Sequence, residues 1–177
     1  NNFYNQVKNM EKKIANNYLN KNKKNIIIGA GSSGPTTKWG TSNYIKLIQR
    51  LQEKRECYFF ILAGFEEKKI VDEIINRVGE NSATSLANKT IKEIISIIAD
   101  VNLYIGNDSF GQHLSCQCGK PSIILLLDTP SAYSEYSKNQ YQIVPDGASI
   151  KDISHDSSFD PNTIKVETVL NKALLYL

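Results

Sequence analysis

Short continuous runs of apolar residues alternate along the chain with longer stretches in which apolar residues recur every three or four positions. The runs at residues 25–29 and 57–63 have the length of single strands and are bounded by polar or glycine-containing segments. A strand that is apolar throughout is typical of a sheet covered on both faces, because all of its side chains are then buried. The pattern therefore predicts parallel strands with helices on either side.

The remaining pattern extends this alternation to the end of the chain. Further strands are predicted at residues 82–86, 101–105, 122–127 and 141–144, and helices around residues 44–51 and at 3–19, 70–78, 91–98, 110–118 and 161–176. Parallel neighbours need a crossover connection, which is usually a helix. We therefore expect an α/β fold, a Rossmann-like doubly wound parallel sheet. Residues 1–24 are predicted to form an entry or linker helix and residues 25–177 one domain.

Composition narrows the possible partners. The chain has 177 residues, with 21 Lys and Arg against 18 Asp and Glu, a net charge of +3. So small and scattered a charge argues against nucleic acid as a partner. No apolar run approaches the roughly 18 residues of a membrane span, and the start lacks a signal-peptide pattern. The three cysteines, an odd number with no CxxC pair, indicate reduced thiols in a cytoplasmic protein. Because the chain begins with Asn, we expect a piece of a longer protein.

The loop after the first predicted strand, residues 29–40, is rich in Gly, Ser and Thr and carries Lys38. Small residues let backbone N–H groups approach an anion, and Lys38 would add a full charge opposite a diphosphate. The segment has neither the GK[ST] ending of a Walker loop nor the glycine spacing of a GxGxxG motif. A plain surface loop is the alternative interpretation.

Two other strand ends carry candidate chemistry. Glu67 follows the second strand, where a carboxylate can accept hydrogen bonds from ribose hydroxyls, although acidic residues also favour the first turn of any helix. Asp108 and Ser109 follow the fourth strand, where either can cap a helix whose free N–H groups face a phosphate. His113 lies about one turn further along the helix. It could contact the ligand, and the alternative interpretation is a structural residue.

Two absences bear on the type of reaction. The sequence contains no Asp-x-Asp, so the usual two-carboxylate clamp for a metal-bound nucleotide is missing. It also contains no GxSxG elbow, which argues against an α/β hydrolase. No metal site is predicted.

Taken in order, these segments resemble the C-terminal half of glycosyltransferase family 9, the ADP-heptose:lipopolysaccharide heptosyltransferases. The likeness covers about residues 26–129 and rests on Lys38-Trp39 after the Gly-rich loop, Gly64-x-x-Glu67, residues 86–94 with Lys89-Thr90, Gly106-Asn107-Asp108-Ser109 with His113, and Gly119-Lys120-Pro121. Two positions differ from the family pattern: Phe110 stands where the family has glycine, and Asn88 stands where it has glycine before Lys89.

The resemblance implies a GT-B enzyme of two Rossmann-like domains, inverting and metal-independent, whose C-terminal domain holds the nucleotide-sugar donor. It implies no cofactor besides this substrate, an ADP-linked sugar. The implied donor site comprises Thr36, Thr37, Lys38, Glu67, Asp108, Ser109, Gly111 and His113. Among these, Lys38 with Thr36 or Thr37 would contact the diphosphate and Glu67 the ribose. The residues from Asp108 onward would present N–H groups and side chains to diphosphate and sugar.

The predicted function is donor binding in a bacterial glycosyltransferase of lipopolysaccharide or surface-glycan assembly, working in the cytoplasm at the inner face of the inner membrane. The general base and the contacts to a glycolipid or glycan acceptor are expected in an N-terminal domain outside this chain, so this chain alone would bind but not catalyse. The alternatives are a non-catalytic α/β nucleotide-binding or interaction module and a nucleotide-sugar epimerase of the same architecture.

Overall fold

The computed structural model describes residues 9–10, 19–31, 38–107, 109–128, 138–154, 157 and 159–177. In chain order the elements are β1 (Lys24–Gly29), α1 (Thr41–Lys54), β2 (Cys57–Leu62), α2 (Lys68–Val78), β3 (Ala83–Ser85), α3 (Ile91–Ile98), β4 (Leu103–Asn107), α4 (Phe110–Gln117), β5 (Ser122–Leu125), β6 (Gln140–Ile143) and α5 (Val166–Leu174). Single 3-10 turns lie at Phe65–Glu67, Ile150–Asp152 and Pro161–Thr163.

The six strands form one sheet in the order β3-β2-β1-β4-β5-β6, and each neighbouring pair is parallel. The order changes direction at β1, which pairs with β2 on one side and with β4 on the other. In such a sheet the loops leaving the two central strands diverge and open a crevice beyond their carboxyl ends. The predicted doubly wound fold is confirmed, and its topology places the ligand-binding edge at β1 and β4.

The sheet is buried on both faces, which explains the continuous apolar runs of the sequence. Ile26 and Ile28 of β1 pack into a cluster that includes α1, α2 and α5, whereas Ile27 packs into a second cluster with α3. Alternate side chains of one strand thus enter opposite layers. Because both faces of the sheet are covered by hydrophobic clusters, consecutive residues of the strand are apolar.

The fourth strand ends two residues later than the sequence predicts. We expected a strand at residues 101–105 and a connecting segment from Gly106 into the next helix, but Gly106 and Asn107 continue β4. Gly106 lies opposite Gly29 of β1, and a Cβ on Gly106 would stand 2.6 Å from the Gly29 carbonyl oxygen. The glycine lets β4 approach β1 closely, so the predicted end of the strand was wrong.

The helix predicted at residues 161–176 is interrupted. Asp160 caps a 3-10 turn by accepting a hydrogen bond from the N–H of Asn162 at 2.9 Å. Ile164 then adopts an extended conformation, its side chain is buried, and its carbonyl accepts a hydrogen bond from the indole Nε1–H of Trp39 at 2.8 Å. The Trp39 contact holds this carbonyl away from helical geometry, and α5 starts only at Val166.

Of the helix predicted at residues 3–19, residues 9–10 are helical, and the rest lies outside the described residues apart from residue 19, which is not helical. None of the helices in the described ranges combines the length and apolar character needed to cross a membrane.

Candidate functional site

A cavity of about 830 Å³ opens at the carboxyl edge of the sheet, among the segments that follow β1, β2, β3 and β4. Its polar lining consists of Lys38, Glu66, Glu67, Lys89 and Ser109. Its apolar lining includes Leu62, Leu86 and Ile94, with Phe65 and Phe110. An apolar pocket with a few convergent polar groups at a topological switch point is the usual form of a ligand site in this type of sheet.

The centre of the polar side is an ion pair between Lys38 Nζ and Glu67 Oε1. Their side chains are 27% and 16% exposed, so solvent screens the pair only in part. The other oxygen of Glu67 accepts a hydrogen bond from the N–H of Gly64 at 3.0 Å. Two residues predicted on separate loops therefore meet in one place.

Gly31 makes the position of the Glu67 carboxylate possible. A Cβ at residue 31 would lie 2.1 Å from Glu67 Oε2 and 2.8 Å from Ala63 Cα. The absence of a side chain thus lets the carboxylate lie against the first loop. In this part of the loop, glycine makes room for a side chain of the protein itself.

Ser109 and Gly111 lie where β4 passes into α4, and both line the cavity. Ser109 occupies the N-cap position with an extended backbone, but its side chain accepts no hydrogen bond from the helix. Its hydroxyl lies 3.3 Å from that of Tyr104 instead. Of the two residues predicted as possible caps, Ser109 thus does not cap the helix with its side chain, and Asp108 lies outside the described residues.

Gly111 lies where α4 packs closely against the sheet. A Cβ at this position would lie 2.4 Å from Leu62 Cδ2 and 3.0 Å from Tyr104 Cε2, so a side chain here would require the Leu62 side chain to shift. Phe110 is 52% exposed and lies at the mouth of the cavity. The bulky residue is therefore accommodated at the rim.

The other predicted site residues are placed as follows. His113 is half-buried one turn into α4 and is not among the residues that line the cavity. Thr36, Thr37 and Asp108 lie outside the described residues. The described ranges contain no group of three or more His, Cys, Asp or Glu side chains that could hold a metal ion.

Lys89 and the aromatic rim are site features that the sequence did not reveal as such. Lys89 lines the cavity just before α3, whose first turn is capped by Thr90 Oγ1 accepting from the N–H of Glu93 at 3.2 Å. Its place after the third strand was a usable signal. No sequence signal showed that Phe65 would be exposed at the rim of the cavity, where it is 78% exposed. The sequence alone does not distinguish an exposed aromatic residue from one in the core.

A buried polar network lies behind the cavity and centres on Asn107. Its Oδ1 accepts hydrogen bonds from Tyr44 Oη–H at 2.9 Å and from the Trp39 N–H at 3.4 Å, and its Nδ2 donates to the Ala30 carbonyl at 3.3 Å. Burial raises the pKa of Tyr44 well above its ordinary value, so its hydroxyl keeps its proton and remains a donor. The network joins the ends of β1 and β4 to α1.

Gln112 of α4 is fully buried, and among the described residues neither polar atom of its carboxamide has a hydrogen-bond partner. Desolvating such a group without compensation is costly. We expect Gln112→Met, which keeps the length of the side chain without its polar atoms, to raise the free energy of unfolding by about 1–2 kcal/mol in urea denaturation. Gln117→Met, on the exposed part of the same helix, should change it by less than about 0.5 kcal/mol. A less stable Gln112→Met variant would contradict this prediction.

A second depression, of about 700 Å³, lies at the opposite edge of the sheet. Its lining mixes basic residues such as Lys21, Lys23 and Arg55 with the acidic Glu56 and Asp100. The motifs and the converging loops belong to the other edge, which is therefore the candidate site.

The fold is a Rossmann-like α/β unit with a cavity at its switch point, of the kind that makes up about half of a GT-B glycosyltransferase. Residues 2–161 match the family model "Glycosyltransferase family 9 (heptosyltransferase)". The chain belongs to this family.

Individual relatives agree with this assignment. Lipopolysaccharide heptosyltransferase 1 of Campylobacter coli is 32% identical over 162 residues, which cover 86% of this chain and 46% of that protein. The E. coli ADP-heptose LPS heptosyltransferase II superposes with a TM-score of 0.76 at 19% identity, over 94% of this chain and 50% of that one. The structure of E. coli heptosyltransferase WaaC with ADP superposes with a TM-score of 0.69 at 14% identity, over 94% of this chain and 48% of that one. The chain thus spans about half the length of these relatives.

Proposed function

We propose that this chain is the donor-binding part of a heptosyltransferase-type glycosyltransferase of lipopolysaccharide assembly, and that the cavity at the carboxyl edge of the sheet holds an ADP-linked sugar. The observation that carries the proposal is the convergence of Lys38, Glu67 and Ser109 on one cavity in a chain of family 9. A relative of similar fold is described with ADP.

The lining of the cavity suits the three parts of such a donor. Lys38 and the start of α4 offer a positive charge and free N–H groups to the diphosphate. Glu67 offers carboxylate oxygens to the ribose hydroxyls. The apolar side chains beyond them offer a surface to the base. Lys38 can bind phosphate without leaving Glu67, because an ammonium group has three donors.

The proposed reaction is a single displacement at the anomeric carbon with inversion. A base supplied from outside this chain would take the proton of the acceptor hydroxyl, on a glycolipid or glycan, as the bond to the nucleoside diphosphate breaks. This chain would stabilise the charge that develops on the leaving diphosphate through Lys38 and the start of α4. These groups would serve without a metal ion, in the cytoplasm and at the inner face of the inner membrane.

Isothermal titration calorimetry with ADP tests the proposal. We expect saturable binding of ADP, weaker binding of adenosine, which lacks the diphosphate, and no change in ADP affinity when EDTA removes divalent cations. The affinity for UDP, which differs from ADP in the base, shows whether the cavity distinguishes the two bases. Failure to bind ADP, ADP-heptose or any UDP-sugar, in a sample whose circular dichroism shows the fold intact, would overturn the proposal.

A further inference from the structure

We infer that Asn107 is a positioning residue: it locks the Lys38 loop to the start of α4, so that both elements meet the diphosphate as one preformed unit. This inference rests on the proposed function and names residues that act behind the site rather than in it. Asn107 is 4% exposed and does not line the cavity.

The side chain of Asn107 connects three separate segments of the chain. Its oxygen accepts from Tyr44 of α1 and from the backbone N–H of Trp39, the residue directly after Lys38. Its nitrogen donates to the carbonyl of Ala30, directly after β1. Both polar atoms of the carboxamide are therefore engaged, and two of the contacts hold Ala30 and Trp39, near the two ends of the first loop.

The backbone of Asn107 is held as well. The hydroxyl of Tyr104 donates to the Asn107 carbonyl at 3.0 Å and lies 3.3 Å from Ser109 Oγ. The facing glycines make room for this hydroxyl, since a Cβ on Gly29 would stand 2.0 Å from Tyr104 Oη. The position of Ser109 is thus tied to the same residue that holds the Lys38 loop.

Trp39 is itself immobilised, which makes the connection effective. Its side chain is fully buried, its indole N–H is bonded to the Ile164 carbonyl, and its own carbonyl accepts from Asn43 Nδ2 at 2.8 Å. In a buried network each lost bond leaves a partner without compensation, so the arrangement resists partial opening. The side chain of Asn107 thus holds Trp39, next to Lys38, and its carbonyl is linked through Tyr104 to Ser109.

The hydrogen bonds described for Asn107 do not extend to the apolar part of the cavity lining. The apolar surface proposed for the base comes from Leu62, Leu86 and Ile94, which belong to β2, the segment after β3, and α3. No hydrogen bond described for Asn107 reaches these segments. Loss of the network should accordingly weaken contacts to phosphate and spare contacts to the nucleoside.

A double-mutant cycle separates positioning from plain destabilisation. We expect Asn107→Ala to weaken ADP binding about tenfold and adenosine binding by less than about twofold. In a Lys38→Met background the same change should weaken ADP by less than about threefold, since the Lys38 contact to the phosphate is already gone and only the contribution of the start of α4 remains. Equal losses for ADP and adenosine, or a full tenfold loss in both backgrounds, would overturn the inference.

A second variant and a readout without ligand complete the test. Tyr44→Phe removes one hydroxyl from the network and keeps the ring, so it serves if Asn107→Ala does not fold. Hydrogen exchange measured by mass spectrometry should then be faster both in peptides spanning residues 38–40 and in peptides spanning 109–111. Faster exchange in only one segment would overturn the inference even if the wild type binds no nucleotide, an outcome that would count against the proposed function alone.

Discussion

Replacing Gly106 by alanine is expected to lower the free energy of unfolding by about 3 kcal/mol, the upper part of the usual range for an overpacked core. The added Cβ would stand 2.6, 2.7 and 2.8 Å from the carbonyl oxygen, Cα and nitrogen of Gly29. These are backbone atoms of the central strand, which is paired on both sides and cannot move without breaking a ladder. Denaturation in guanidinium chloride, followed by the fluorescence of Trp39, measures the loss.

Gly64→Ala is the matched control for this substitution. Gly64 has φ −64°, which any residue adopts, and a Cβ there would meet nothing closer than Glu67 Oε2 at 3.6 Å. Its N–H, which donates to Glu67, is kept. We expect a change of less than about 0.5 kcal/mol. Wild-type stability in Gly106→Ala would show that β1 and β4 are further apart than described.

Lys38→Met is expected to weaken ADP binding by about 10- to 100-fold, which corresponds to the 1.5–3 kcal/mol of a hydrogen bond to a charged group. Methionine keeps much of the side-chain length and removes the ammonium group. In the proposed complex the loss falls on the diphosphate, so adenosine affinity should stay near that of the wild type. Calorimetry at low salt gives both affinities.

Two further variants show whether the charge at this position is responsible. Lys46→Met makes the same substitution on an exposed lysine of α1 and should leave ADP affinity unchanged. Glu67→Gln removes the negative partner of Lys38, so inorganic pyrophosphate, which has no ribose, should bind more tightly than to the wild type. If Lys38→Met binds ADP like the wild type, Lys38 does not contact the diphosphate.

Sequence was a good guide where structure is decided locally. The three isoleucines of β1 indicated a strand buried on both faces, and Ile26, Ile27 and Ile28 do divide between the two layers. The spacing of apolar residues likewise predicted α3 over residues 91–98, and the helix has those bounds. The loops after the strands could be chosen as the site because topology fixes where strand ends meet.

The remaining features depend on specific contacts, most of them between residues far apart in the chain. Gly106 was left outside the predicted strand because its partner Gly29 is known only from the strand register. The interruption before α5 comes from the bond between Trp39 and Ile164, and the orientation of Ser109 comes from Tyr104. Such contacts leave no periodic trace in a single sequence, so local pattern could not anticipate them.

The position of β1 in the sheet has a consequence for how the chain folds as it is synthesised. Among the described strands β1 precedes the others in the chain but occupies the centre, between β2 and β4. The β1-β2-β3 half can assemble early, while the side of β1 that receives β4 remains an open strand edge until residue 107 has emerged. Open edges pair with other chains, and parallel pairing between distant segments forms slowly. The central strand of the sheet, which borders the proposed site, is thus open to pairing with other chains until β4 is in place.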